Sequence, residues 1–241
     1  MSMAEPGQQK LTIYIGATTD ETLSLRSLLA EQMGVASFSD LAVSIIIAPS
    51  VEVTVCDDVH EELVSEYVRH EIEFVIHRYG VLNYRSSVVT STIKKFHKNI
   101  IVRLMGQRSS ADMKYAWYGD GENALAFSAV QDHQAASSRS RIEIRGVLDG
   151  HAEFSCKGLI KVARTAVGTI AEQLSKNLML SKNAHVVTTP QLEIETNDVQ
   201  CRHGAAISTL SEDQLFYLQG RGLTLQHARQ MFVQGFLLNG R

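Results

Sequence analysis

Short runs of alternating apolar and polar residues recur along most of this chain, and they restrict its fold more than any other feature. The clearest are LTIYIGA from Leu11, VEVTVCDD from Val51, EIEFVIHRYG from Glu71, NIIVRLMG from Asn99, RIEIRGVLDG from Arg141 and HAEFSCKG from His151. Branched and aromatic side chains at a period of two suit a pleated surface with one buried face, so these runs are predicted to be strands. Most close on Gly or Asp, and they follow one another at intervals of roughly ten to twenty residues, as stacked strands separated by turns would. The pattern admits a sandwich or a β-solenoid. The only prolines are Pro6, Pro49 and Pro190, so no Pro-rich linker divides the chain and its middle is predicted to be continuous.

Helical periodicity is confined to a few places. Leu and Val recur at three- and four-residue spacing over Thr18 to Met33 and again over Val59 to His70. At the C-terminus, Ser211 is an expected N-cap, followed by Glu212 and Asp213, which suit the positive end of a helix. Leu215, Phe216 and Leu218 supply an apolar face, and Gly220 and Gly222 mark a stop. Thr224 is placed to cap a second helix carrying Ala228, Met231, Phe232 and Phe236. Helices this short need a surface to pack on.

Composition then excludes several functions. A chain of 241 residues, 44% apolar, can bury a substantial core. Its 23 Lys and Arg against 26 Asp and Glu create no field that would draw nucleic acid or anionic lipid. The start, MSMAEPGQQK, lacks a signal-peptide core, and the most apolar run, Val43 to Ala48, is too short to span a bilayer, so a soluble cytoplasmic protein is expected. Cys56, Cys156 and Cys201 are far apart and form no Cys-x-x-Cys pair, which argues against a disulfide framework and a closed zinc site. There is no P-loop, so nucleotide hydrolysis would have to belong to a partner.

Four segments carry a resemblance to a known family: QDHQAASSRSRIEIRGVLDGHAEFSCKGLIKV at Gln131 to Val162, KNLMLS at Lys176 to Ser181, PQLEIETNDVQCRHGAA at Pro190 to Ala206, and EDQLFYLQGRGLTLQHARQMFVQGF at Glu212 to Phe236. In order and spacing they resemble the core of the SufB/SufD family, scaffold proteins of the Suf iron–sulfur assembly system. The resemblance implies a mainly β fold, a right-handed parallel β-helix with a small C-terminal helical domain. The expected division is a flexible tail over 1–10, a β-helix core over 11–195 and a helical segment over 196–241. It also implies a non-enzymatic subunit that pairs through its C-terminal helices with a SufB-type partner or a second copy and docks a SufC-type ABC ATPase. Phe216, Tyr217, Leu218 and Arg221 are the docking candidates, with packing of Phe216 and Leu218 onto the solenoid as the alternative. The chain ends at Arg241, earlier than the resemblance leads one to expect, so a reduced docking surface is anticipated.

The SufD branch has a histidine of a Cys-x-His-Gly motif at its contact with SufB, which corresponds here to His203, with Cys201 beside it. Thiolate and imidazole both suit iron, and positions 201 and 203 share one face of a strand. These two residues are the candidate ligands for iron or a transient cluster shared with a partner. A buried Cys beside a hydrogen-bonded His is the ordinary alternative. Where the SufB branch carries an essential cysteine, this chain has Ser175, so it resembles SufD and would need a thiolate from another subunit. Cys156 is expected to be a small buried residue. Cys56, beside Asp57 and Asp58, is a poor ligand, and His133 is expected to hold a turn. Lys94 to Lys98, KKFHK, are read as a solvated edge. Two other readings stay open: a shortened paralogue that only binds partners, and a β-helix enzyme acting on carbohydrate through Asp57, Asp58 or the EIEF carboxylates, for which no neighbouring cation is evident.

Overall fold

The computed structural model describes residues 10–33, 39–59, 66–89 and 93–238. Odd and even strands segregate into two parallel sheets. The first holds β1 (Leu11–Ile15), β3 (Asp40–Ile47), β5 (Tyr67–Ile76), β7 (Lys95–Leu104), β9 (Ala124–His133), β11 (Glu153–Val162) and β13 (His185–Ile194). The second holds β2 (Thr22–Ser24), β4 (Glu52–Val59), β6 (Val81–Val89), β8 (Ser110–Gly119), β10 (Arg139–Leu148), β12 (Thr169–Met179) and β14 (Val199–Thr209). Each coil adds one strand to each sheet, so the fold is a β-solenoid, the second of the two architectures the strand pattern allowed.

The corners between sheets repeat with the coils. Ser50, Tyr79, Arg108 and Ser137, each 29 residues after the last, adopt left-handed φ values of 57–60°. Gly168 takes the same place one coil later, at φ 74°. Their amides donate in series to the next corner: Ser50 N to Arg78 O at 2.8 Å, Tyr79 N to Gln107 O at 3.1 Å, Arg108 N to Ala136 O at 3.1 Å, and Ser137 N to Val167 O at 2.8 Å. Such a ladder satisfies backbone groups that a turn would otherwise leave to water.

Side chains of alternate residues fill the space between the sheets. A large apolar cluster runs from Ile13 through Ile45, Phe74, Leu82 and Phe127 to Phe154 and Cys156. A smaller one holds Ile160, Val162, Ala166 and Ala171, with Val199 and Cys201 packed on it. Along β12 the inward row reads Ala171, Gln173, Ser175, Asn177, Met179; its first member belongs to the small cluster and its last packs on the large one, so polar side chains divide them.

The helical expectations need correction. Residues 18–33 are not one helix: β2 comes first, and α1 (Leu25–Met33) follows, with Ser24 Oγ accepting from Ser27 N at 3.4 Å. The helix read over Val59 to His70 is absent at both ends, since Val59 closes β4 and Tyr67 to His70 open β5, while residues 60–65 lie outside the described residues. Val68 and His70 are buried with Arg69 outward between them, so the true period is two. The solenoid also continues past residue 195, because β14 completes a last coil before the helices begin. α2 (Glu212–Gly220) and α3 (Leu225–Leu238) close the chain. Ser211 makes no side-chain cap bond, whereas Thr224 Oγ1 accepts from His227 N at 3.2 Å. α3 is anchored to the solenoid by Arg145, whose Nη1 donates to Phe236 O at 2.9 Å, and by Arg229, whose Nη2 donates to Leu180 O at 3.1 Å.

Candidate functional site

The final coil, β13 and β14, ends both sheets, and each strand has a neighbour on one side only. β14 pairs in register with β12, placing Cys201 beside Ala171, His203 beside Gln173 and Ala205 beside Ser175. β13 pairs with β11, placing Thr188 beside Cys156, Pro190 beside Gly158 and Leu192 beside Ile160. Partners in such a ladder point to the same face, so these last-coil residues continue the inward rows of the coil before. Among the described residues no further coil covers them. Leu192, Ile194 and Ile207 are consequently 38%, 40% and 49% exposed, although they stand where earlier coils are sealed.

Cys201 and His203 therefore sit together at the open end, on one face of one strand and about 6.6 Å apart along it. Cys201 is half-buried against the small apolar cluster, and burial raises its thiol pKa even though the Ala171 backbone bond opposes the shift. The His203 ring is exposed. Ser175 is buried beneath Ala205, one inward position further along β12 than Gln173, and offers a hydroxyl where a thiol would be a stronger iron ligand. Among the described residues, no group of three His, Cys, Asp or Glu is placed to hold a metal ion. Cys201 and His203 by themselves fall short of the four ligands a cluster iron takes.

Charge frames the same end. On the outer face of the second sheet, Asp112, Arg141, Glu172 and Arg202 form a row of alternating sign, with Arg202 Nη2 2.8 Å from Glu172 Oε1. On the first sheet Arg103, Asp132, Lys161 and Glu193 do likewise, with Arg103 Nη1 2.8 Å from Asp132 Oδ2. The rows end on the open edge as a cation on β14 and an anion on β13.

The other candidates fall where their chemistry directs. Cys156 is fully buried, and burial pushes its thiol up to about 11. Cys56 is half-buried with its Sγ 3.7 Å from Asp58 Oδ2, and burial first, then the Asp58 charge, raises its pKa. His133 is buried with Nδ1 2.7 Å from Ser138 Oγ and Nε2 2.7 Å from Ser140 Oγ, and burial pushes its pKa down to about 4, so it is a neutral structural ring beside a corner. On α2, Phe216 is 77% exposed, Tyr217 is exposed, Leu218 is half-buried, and the Arg221 guanidinium lies 5.3 Å from the Tyr217 ring centre. Packing of Phe216 onto the solenoid is therefore not what the structure shows, and α2 has no buried residue.

One reading is overturned. Lys98 is not part of a solvated edge: its Nζ is buried 2.6 Å from Asp57 Oδ2 and 2.6 Å from Ser86 Oγ. Tyr84 donates its hydroxyl to Asp57 at 2.8 Å. Burial alone would raise the Asp57 pKa, but the Lys98 and His70 charges and these hydrogen bonds outweigh it and leave it lowered. The phase of the sequence carried the signal, because Phe96, Lys98, Ile100 and Val102 share one parity, as do Val53, Val55, Asp57 and Val59. So Asp57 does have a neighbouring cation, but both groups are sealed inside the core.

A family model described as the SUF system FeS cluster assembly SufBD core domain matches residues 19–236. The chain belongs to the SufBD family. Among proteins similar to it are the iron–sulfur cluster assembly protein SufD of Escherichia coli, 44% identical over 87 residues that cover 36% of this chain and 20% of that one. A SufBD family protein of Synechocystis is 40% identical over 123 residues, 46% of this chain and 27% of that protein. SufD of Bacillus subtilis is 32% identical over 134 residues, 56% and 31% respectively. The matched stretches thus span about a fifth to a third of the length of these relatives. Within the SufBD family the chain is SufD-like, in keeping with Ser175 in its sealed row. No helix among the described residues is long and apolar enough to cross a membrane.

Proposed function

We propose that this SufBD-family chain is a SufD-like scaffold subunit of iron–sulfur cluster assembly, without catalytic chemistry of its own. Its open end receives a second subunit, SufB-type or another copy, and Cys201 and His203 help hold iron or a nascent cluster, as cargo, at that contact. The observation that carries the reading is the last coil: soft donors occupy inward positions of a coil whose apolar row is left uncovered. An unpaired parallel edge with exposed Leu192, Ile194 and Ile207 favours a neighbour that continues the sheets. For this reason the subunit contact is assigned to β13 and β14 instead of the C-terminal helices. A partner strand presenting acid opposite Arg202 and base opposite Glu193 would extend both charge rows. The helices keep a different role, with Phe216, Tyr217 and Arg221 as the exposed docking surface for a SufC-type ATPase.

The division of labour follows from the donors. Thiolate is the form that binds iron, and a thiol held protonated by burial must lose its proton on binding, so uptake at Cys201 strengthens as pH rises. Anaerobic reconstitution with iron, sulfide, a SufB-type subunit and a SufC-type ATPase tests the proposal through visible absorption and iron content. Cluster should form in the complex and fall severalfold with His203→Ala. An unchanged yield in an intact complex would leave this chain as a structural partner, the reading that its incomplete donor set favours as runner-up.

A further inference from the structure

Just inside the open end lies a buried polar atom that nothing in the described structure satisfies. The side chain of Gln173 is sealed in the solenoid, and its Oε1 has no hydrogen-bond partner. Its neighbour Gln131, equally buried, is engaged: Ser140 Oγ donates to its Oε1 at 2.7 Å, and its Nε2 donates to Glu172 O at 3.5 Å. An unpaired buried acceptor is costly to keep, so it either holds water or awaits a donor.

The site is built around this carboxamide. Across the interior stands Gly158, where an added Cβ would lie 1.7 Å from Gln173 Nε2 and 2.3 Å from its Oε1. Glycine there leaves the room that the carboxamide occupies. The ladders place the next coil over this facing pair, Pro190 over Gly158 and His203 over Gln173. One strand spacing, about 4.8 Å, separates His203 from Gln173 on the same face. Pro190 has no N–H, Ala205 has no polar side chain, and Thr188 stands over Cys156 instead. His203 is the one side chain of the covering row that carries a ring N–H, and the register puts it next to Gln173.

We propose that Gln173 is a positioning residue for His203, its Oε1 accepting the imidazole N–H from inside the solenoid. A neutral imidazole has one N–H and one lone pair. Directing the N–H inward fixes the tautomer and turns the lone pair toward the open end, where a ligand and a partner subunit would arrive. The purpose of this contact rests on the reading of His203 as a ligand, but the contact itself can be tested without iron.

The tautomer of His203 is read from ring-nitrogen chemical shifts of the full chain at about pH 8, the resonances being assigned by their loss in His203→Gln. A single dominant tautomer is expected in the wild type, an equilibrating mixture in Gln173→Met, and a return to one tautomer in Gln173→Glu, which keeps an acceptor oxygen; melting curves check that each variant is folded. The same variants then enter reconstitution with the SufB-type partner, where Gln173→Met should weaken iron retention by about tenfold or more and Gln173→Glu should restore it. An unaltered tautomer ratio in folded Gln173→Met overturns the proposal even if His203→Ala abolishes the cluster. A tautomer shift with cluster yield indifferent to His203→Ala upholds the contact and removes the ligand reading instead.

Discussion

The two ends of the solenoid are made differently. At the first, α1 packs against β2 and β4 and buries Leu25 and Leu29 in the large apolar cluster. At the other, the last coil carries the same kind of inward row and leaves it uncovered, with α3 fixed to the side of the solenoid through Arg145 and Arg229. A repeat fold must protect its terminal units or use them for association. This chain does the first at one end and is suited to the second at the other, and Cys201 and His203 lie at the uncovered end. On the proposed reading, stability and function are separated along the solenoid axis.

The sharpest way to break that separation is to attack the sealed half. Lys98→Met leaves Asp57 buried without its cation and should cost about 3–5 kcal/mol in urea denaturation, while adding Asp57→Leu should recover most of the loss. If Lys98→Met were as stable as the wild type, the core around Asp57 would have to be wet, and the contrast between the ends would weaken.

A smaller effect tests the ends directly. Leu29→Ala, in the sealed cluster, should destabilise the isolated chain by about 2–5 kcal/mol, whereas Leu192→Ala at the open end should cost less than about 1 kcal/mol. In the complex the order changes, since Leu192→Ala should then weaken subunit association measured by sedimentation. Equal losses in the isolated chain would mean that the last coil is covered in solution by the chain itself.

How much of this was legible beforehand depended on whether a local pattern survived. The strands of the middle were readable because both neighbours of each coil are present, so inward and outward residues alternate cleanly, as in Phe154, Cys156, Ile160 and Val162. β14 was assigned to the helical segment because VQCRHGAAIST, lacking a covering coil, carries no strong apolar row. Cys201 and His203 were identified by resemblance, and their common face followed from spacing. That this face is the open end of the fold, above Gln173, depends on coil register, which residues about thirty positions apart create together and no local window contains. The reading of Lys98 as exposed fails for another reason: charge suggests exposure, although Lys98, like Asp57, lies in phase with an apolar row.

The gentlest test concerns the polar interior that separates the two clusters. His133 keeps its folded pKa at about 4 against an ordinary value of 6.5, because burial disfavours its charged form. Between those values the unfolded chain binds a proton that the folded chain does not, so falling pH favours unfolding. The contribution is fully present above pH 6.5, is lost progressively down to about 4, and amounts to roughly 1.4 kcal/mol per pH unit within that window. Glu73 titrates lower: burial works against its charge, but hydrogen bonds from Arg103 and Lys10 hold it at about 2, so its own contribution is lost only as pH falls from 4.5 toward 2. Urea midpoints at pH 6.5 and 5 therefore leave Glu73 out, and the variant singles out the histidine. The wild type should lose stability across that interval, and His133→Asn, though weaker at neutral pH, should lose much less. If the two declined in parallel, the ring would be reachable by water, and the polar layer around His133 would be wet, with no sealed partition between the clusters.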